Sequence, residues 1–138
     1  MPGGALLRRH QISYNQVIMI TTARVSTSYK AQYSDPIAFE PGDLLTLTGR
    51  SDNWNGNTWL WAVASKDGRE GWIPDSLANA ALTSPQVATM SYNARELDCH
   101  EGELLTVTNA THGWCWCENE RGVSGWVPEE NLLMQIPD

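Results

Sequence analysis

At 138 residues, 41% hydrophobic and 18% charged, the chain has room for one ordinary folded domain or two very small ones, which excludes intrinsic disorder. No run approaches about 18 consecutive apolar residues, so a helical membrane span is excluded as well. Nine Lys plus Arg against sixteen Asp plus Glu leave a net charge of −7, a balance unsuited to phosphate backbones or anionic lipid surfaces, so neither nucleic acid nor membrane is expected as a partner.

Residues 1–21 read as an N-terminal extension. Their apolar patch Val17-Ile18-Met19-Ile20 is too short and too late for a signal-peptide core. Three cysteines, Cys99, Cys115 and Cys117, are an odd number confined to the second half, which favours a reducing compartment over a disulfide scaffold. The expected location is cytoplasmic. Charge is uneven too: residues 1–80 hold seven basic and seven acidic side chains, whereas residues 81–138 hold Arg95 and Arg121 against nine acids.

The chain repeats itself. Glu40-Pro41-Gly42-Asp43-Leu44-Leu45-Thr46-Leu47-Thr48 recurs as His100-Glu101-Gly102-Glu103-Leu104-Leu105-Thr106-Val107-Thr108. Trp59-Leu60-Trp61-Ala62 returns as Trp114-Cys115-Trp116-Cys117, and Gly71-Trp72-Ile73-Pro74 as Gly125-Trp126-Val127-Pro128. Tyr29-Lys30-Ala31 and Tyr92-Asn93-Ala94 mark the two openings, which sets repeat one at 22–80 and repeat two at 86–136 with a short linker around Pro85.

Each repeat reads as strands. β-favouring runs hold Leu44, Leu45, Leu47 and Leu104, Leu105, Val107, with turns expected at Pro41-Gly42, Asn55-Gly56, Asp67-Gly68 and Arg121-Gly122. No helical period survives over a useful window. Alternation puts Trp59 and Trp61 on one side of a strand and Leu60 and Ala62 on the other; Trp114 and Trp116 likewise oppose Cys115 and Cys117. The fold class is therefore all-β, two tandem small five-stranded barrels.

The series Tyr-x-Ala, Gly-Asp/Glu-Leu-Leu, Trp-x-x-Ala, Gly-aromatic-aliphatic-Pro resembles the SH3 domain, twice over. The resemblance implies a non-catalytic interaction module. In that family a groove between stacked aromatics holds a polyproline-type helix, and an acidic loop pairs with a basic residue beside the prolines. Carried onto this chain, it marks Tyr29, Trp59, Trp72 and Pro74 in repeat one, and Tyr92, Trp114, Trp126 and Pro128 in repeat two. Glu96 takes the acid position, with Asp98 beside it. The departures are Thr27 and Leu77 for the two outer groove tyrosines of repeat one, and Met90 and Asn131 for those of repeat two. Pro36 stands at the acid position of repeat one, with Asp35 the nearest carboxylate.

Repeat one also carries an insertion, Asp52-Asn53-Trp54-Asn55-Gly56-Asn57, read as a loop. Trp54 suits an added wall of the groove, or packing onto its own barrel or against the second copy. Trp61 and Trp116 read as structural aromatics. Cys115 and Cys117 lack metal-ligand spacing and read as small core residues, as does Cys99; no cofactor or metal is expected. No catalytic motif stands out, so the chain is not expected to be an enzyme.

Three functions fit these residues. One is an adaptor whose grooves bind an extended, Pro-containing, basic peptide of a partner protein. Another is an assembly role with the grooves occluded or merged between the barrels. A third is binding of cell-wall polymer in the manner of bacterial SH3-like repeats, which the acidic charge disfavours.

Overall fold

The structure is a computed structural model that describes residues 20–79 and 85–135. Most of the expected extension and of the linker lies outside those residues. Strand β1 covers Thr21–Val25, β2 Ala38–Phe39, β3 Leu44–Trp54, β4 Asn57–Ala64, β5 Glu70–Pro74, and β6 Gln86–Val87. They are followed by β7 Tyr92–Asn93, β8 Leu104–Thr111, β9 Trp114–Glu118, β10 Ser124–Pro128 and β11 Leu132–Gln135. Single 3-10 turns follow β5 and β10, at Asp75–Leu77 and Glu129–Asn131. The fold is all-β, as the alternation of apolar and polar side chains predicts, and the described residues form three sheets: β10-β9-β8-β1-β11, β5-β4-β3-β6 and the two-stranded β2-β7.

The sheets do not follow the repeats. β1, the opening strand of repeat one, lies between β8 and β11 of repeat two, with Ala23 opposite Leu105 on one side and Met134 on the other. Reciprocally, β6 and β7 of repeat two pair with β3 and β2 of repeat one, with Leu44 opposite Val87 and Phe39 opposite Tyr92. Two compact units result: unit I, residues 20–32 with 96–135, and unit II, Tyr33–Arg95. The boundaries 22–80 and 86–136 therefore delimit sequence repeats, and each packed unit takes its opening segment from the other repeat.

Side-chain volume accounts for this choice of partner. The unit I core contains Leu97, Cys99, Leu105, Val107, Cys115, Cys117 and Val127, and β1 adds Ala23 and Val25. The unit II core contains Ile37, Phe39, Leu45, Leu47, Leu60, Ala62 and Ile73, and repeat two adds Ala88. Position for position, Cys99 stands for Phe39, Cys115 for Leu60 and Val107 for Leu47, whereas Cys117 and Leu132 stand for the smaller Ala62 and Ala78, so unit I is the smaller framework at Cys99, Cys115 and Val107. It receives the larger Val25, whereas the core built on Phe39 receives Ala88. Pairing within each repeat would press Val25 toward Phe39 and leave Ala88 beside Cys99, which combines overpacking with a void.

The burial of Cys99, Cys115 and Cys117 matches their reading as core residues, with all three thiols free. Burial pushes the Cys115 thiol up to about 12 and Cys117 higher still, which leaves both protonated and unreactive at neutral pH.

The insertion of repeat one is a hairpin rather than a loop. β3 and β4 stay paired to Trp54 opposite Asn57, and Asn55 (φ 52°) and Gly56 (φ 81°) form the two-residue turn. Positive φ at both central positions is what a tight hairpin requires, and Asn-Gly meets it with least strain. The same turn recurs between β8 and β9 at His112 (φ 52°) and Gly113 (φ 86°), a turn that the composition of the sequence does not advertise.

Exchange of the opening strands makes a definite NMR prediction. Cross-strand NOEs from Ala23 are expected to Leu105 and Met134; NOEs to Leu45 instead would establish pairing within repeat one.

Candidate functional site

Unit I assembles its surface from both repeats. Tyr29 forms an isolated antiparallel bridge with Cys99, each donating its N–H to the other's carbonyl at 2.9 Å. That bridge carries the Tyr29 ring to Trp114 of β9, where the two meet edge to face with centroids 5.7 Å apart and planes at 81°. This is a favoured geometry for a pair of π systems. The structure thus brings Tyr29 together with Trp114 of repeat two in unit I, while Trp59, Trp72 and Pro74 belong to unit II.

Glu96 belongs to the same constellation. Its segment lies against β10 through a bridge to Trp126, with the Leu97 N–H donating to the Trp126 carbonyl at 3.0 Å. Gly125 permits the approach: a Cβ there would stand 2.7 Å from the Glu96 carbonyl carbon. The Glu96 Oε1 atom accepts hydrogen bonds from the Tyr29 hydroxyl at 2.9 Å and the Gln32 N–H at 2.7 Å. Asp98 Oδ1 accepts one from the Ala31 N–H at 2.7 Å. Both acids of repeat two are therefore oriented by repeat one. All three bonds fall on one oxygen of each carboxylate, and no Lys or Arg pairs with Glu96 or Asp98 among the described residues.

The two missing tyrosines of this unit have a structural replacement. Asn131 Nδ2 donates to the carbonyls of Thr27 and Ser28 at 3.0 and 3.2 Å. Thr27 and Asn131 are the residues standing at the two outer groove tyrosine positions, so a polar tie joins what would otherwise be two aromatic walls. Pro128 and Trp126 are buried, Trp126 being 8% exposed and set edge to face against Trp116 at 5.2 Å. Opposite Trp114 and Trp116 in the β9–β10 register, they share the sheet face of those tryptophans.

Unit II gathers Trp54, Trp59, Trp72, Pro74 and Tyr92. Trp59 pairs with Pro74 and Trp61 with Trp72 across β4 and β5, which puts these side chains on one face of the sheet. Trp54 is opposite Asn57 and Asp52 is opposite Trp59, so Trp54 is a diagonal neighbour of Trp59 on that face and half-buried. Pro74 is under 2% exposed. Tyr92 meets Phe39 with ring centroids 5.7 Å apart. At its outer tyrosine positions this unit has Leu77, packed against the core, and Met90, 57% exposed.

Charge follows the units and not the repeats. Unit I sets Arg24, Lys30 and Arg121 against eight carboxylates, and unit II sets Arg50, Lys66, Arg69 and Arg95 against seven. The acidic excess of the second half of the sequence is thereby shared. Two arginines of unit II escaped the sequence reading. Arg50 covers the Trp61 and Trp72 rings at 4.5 and 4.9 Å from their centroids, and Arg69 holds Asp35 at 2.9 Å. The length of the segment between Leu47 and Trp59 was the signal for Arg50; Arg69, after the Asp67-Gly68 turn, had none.

Burial pushes the Glu96 carboxyl above the usual glutamate range and the Asp98 charge adds to the rise, while the bonds from Gln32 and Tyr29 oppose it. With the folded-state value above the unfolded one, its contribution to stability is complete at pH below the unfolded value and is lost as pH rises through the folded one. A carboxyl 13C titration should place the Glu96 midpoint above that of an ordinary glutamate. Tyr29→Phe, which removes a donor to the charged form, should raise it further; an unmoved midpoint would contradict the bond.

No helix among the described residues is long and apolar enough to cross a membrane. The family model for the variant SH3 domain matches residues 22–78 and again residues 87–135. Among curated proteins and among solved structures there is no match. The two matched segments carry the Gly-acid-Leu-Leu, Trp-x-Trp and Gly-Trp-aliphatic-Pro series described above, and the chain belongs to the variant SH3 domain family, with two such domains in tandem.

Proposed function

We propose that this chain, SH3 domains being in general protein-interaction modules, is a non-catalytic adaptor that binds an extended, Pro-containing, basic segment of a partner protein, chiefly through unit I. The observation that carries the reading is the Tyr29–Trp114 pair with the Glu96 carboxylate fastened to the Tyr29 hydroxyl. An aromatic pair offers flat apolar surface to proline rings, and a carboxylate held beside it offers a charge-assisted bond to a lysine or arginine. Glu96 and Asp98 each keep one oxygen outside the bonds that orient them. Free thiols throughout accord with a reducing, cytoplasmic setting.

A second reading rests on the Asn131 tie to Thr27 and Ser28. If that tie closes the outer end of the groove, the domains serve assembly and the aromatic pair is structural.

Titration with Pro-rich, Arg-flanked peptides, followed through the indole N–H signals of the seven tryptophans, separates the two. Saturable shifts are expected at Trp114. Trp114→Ala should reduce affinity at least tenfold, a central aromatic anchor being worth about 2 kcal/mol, with the β-sheet circular dichroism unchanged. Binding should also weaken as salt shortens the reach of the carboxylates. A folded chain with silent indoles in unit I would favour assembly.

A further inference from the structure

The two units differ in what already occupies the features that read a cation. In unit II, Trp61 and Trp72 meet edge to face at 5.0 Å and 85°, and the Trp61 Nε1–H donates to Glu70 Oε1 at 2.6 Å. Arg50 lies over both rings. It reaches them because β3 bulges: between Leu47 opposite Ala62 and Ser51 opposite Leu60, the three residues Thr48-Gly49-Arg50 face Trp61 alone. Gly49 adopts φ 92°, and Thr48 Oγ1 accepts the Arg50 N–H at 3.3 Å while donating to the Trp61 carbonyl at 3.4 Å. On the loop segment, Asp35, the carboxylate nearest the acid position, is paired with Arg69.

Repeat two has no counterpart of either arginine. Between Val107 opposite Cys117 and Asn109 opposite Trp116, only Thr108 intervenes, so nothing matches Gly49-Arg50, and Val123 stands where Arg69 stands after the turn glycine. The Trp61 and Trp72 faces and the Asp35 carboxylate of unit II are thus engaged by arginines of the same unit. An incoming cation would have to displace Arg50 and would meet two fixed positive charges.

On the footing of the adaptor reading, we infer that Arg50 and Arg69 are specificity-determining residues: they make unit II refuse a basic side chain and accept a neutral, Pro-containing apolar segment, which assigns the basic part of a ligand to unit I. Met90 and the Trp54–Trp59 face supply unit II with apolar surface for such a segment.

The test uses the full chain, two Pro-rich peptides that differ only in arginine or glutamine flanks, and assigned indole signals. In the wild type, Trp59 should respond to the glutamine-flanked peptide at least as strongly as to the arginine-flanked one. Arg50→Gln with Arg69→Gln should raise the affinity of unit II for the arginine-flanked peptide at least fivefold and change that for the other less than twofold. The single variants, checked for unaltered thermal unfolding, apportion the effect between aromatic faces and Asp35. A wild-type unit II that prefers arginine, or a folded double variant that gains nothing, overturns the inference whatever unit I does. Silence at Trp114 in every sample overturns the adaptor reading instead, and a gain at Trp59 in the double variant would still uphold the roles of Arg50 and Arg69.

Discussion

The antiparallel seating of β1 between β8 and β11 is the constraint on which the rest of this protein depends. Ala23 and Val25 enter the core of the repeat-two framework at 0% and 1% exposure, and Val25 exchanges backbone bonds with Glu103 and Gly102 at 2.9 and 2.8 Å. A valine side chain taken out of water is worth about 1.5–3 kcal/mol, on the scale of the stability of so small a unit. Once β1 is spent there, the repeat-one framework must draw its opening from Ala88 and the β6–β7 segment.

The site inherits that recombination. Glu96 and Asp98 come from repeat two, but the hydroxyl and the two N–H groups that aim them come from Tyr29, Ala31 and Gln32 of repeat one. Repeat two holds an acid and aromatics in its own span, but the tyrosine that joins Glu96 to Trp114 in the packed unit comes from repeat one. The polar tie across the outer groove is likewise shared, its amide from Asn131 and its carbonyls from Thr27 and Ser28. Repeat one loses its aromatic partner for Tyr29 and gains Tyr92 in exchange.

Much of this was legible beforehand because it depends on local rules. Alternation along Trp59–Ala62 and Trp114–Cys117 places tryptophans on one face and small residues in the core, and the buried cysteines bear this out. The Asn55-Gly56 turn follows from backbone sterics. The pairing partners were not legible, because duplicated segments present the same apolar period to either framework and a period-two pattern carries no label of origin. Only volumes distinguish them, through Val25 against Ala88 and Cys99 against Phe39, and these differences act when the cores close. Arg50 was missed for a related reason: a cation just past a β-favouring run has no assigned neighbours until the bulge in β3 sets it over Trp61.

The amino-acid sequence by itself determined the family, the all-β character, the two copies and the identity of the chemically expressive side chains, since each follows from residue type and spacing. The tertiary structure alone decided which copy each opening strand completes, which carboxylates are oriented and which are neutralised, and which tryptophans meet a tyrosine or an arginine. These are relations between residues from 11 positions apart, Arg50 and Trp61, to 114, Thr21 and Gln135. They arise from packing volumes and charge pairing that exist only when distant segments are held together.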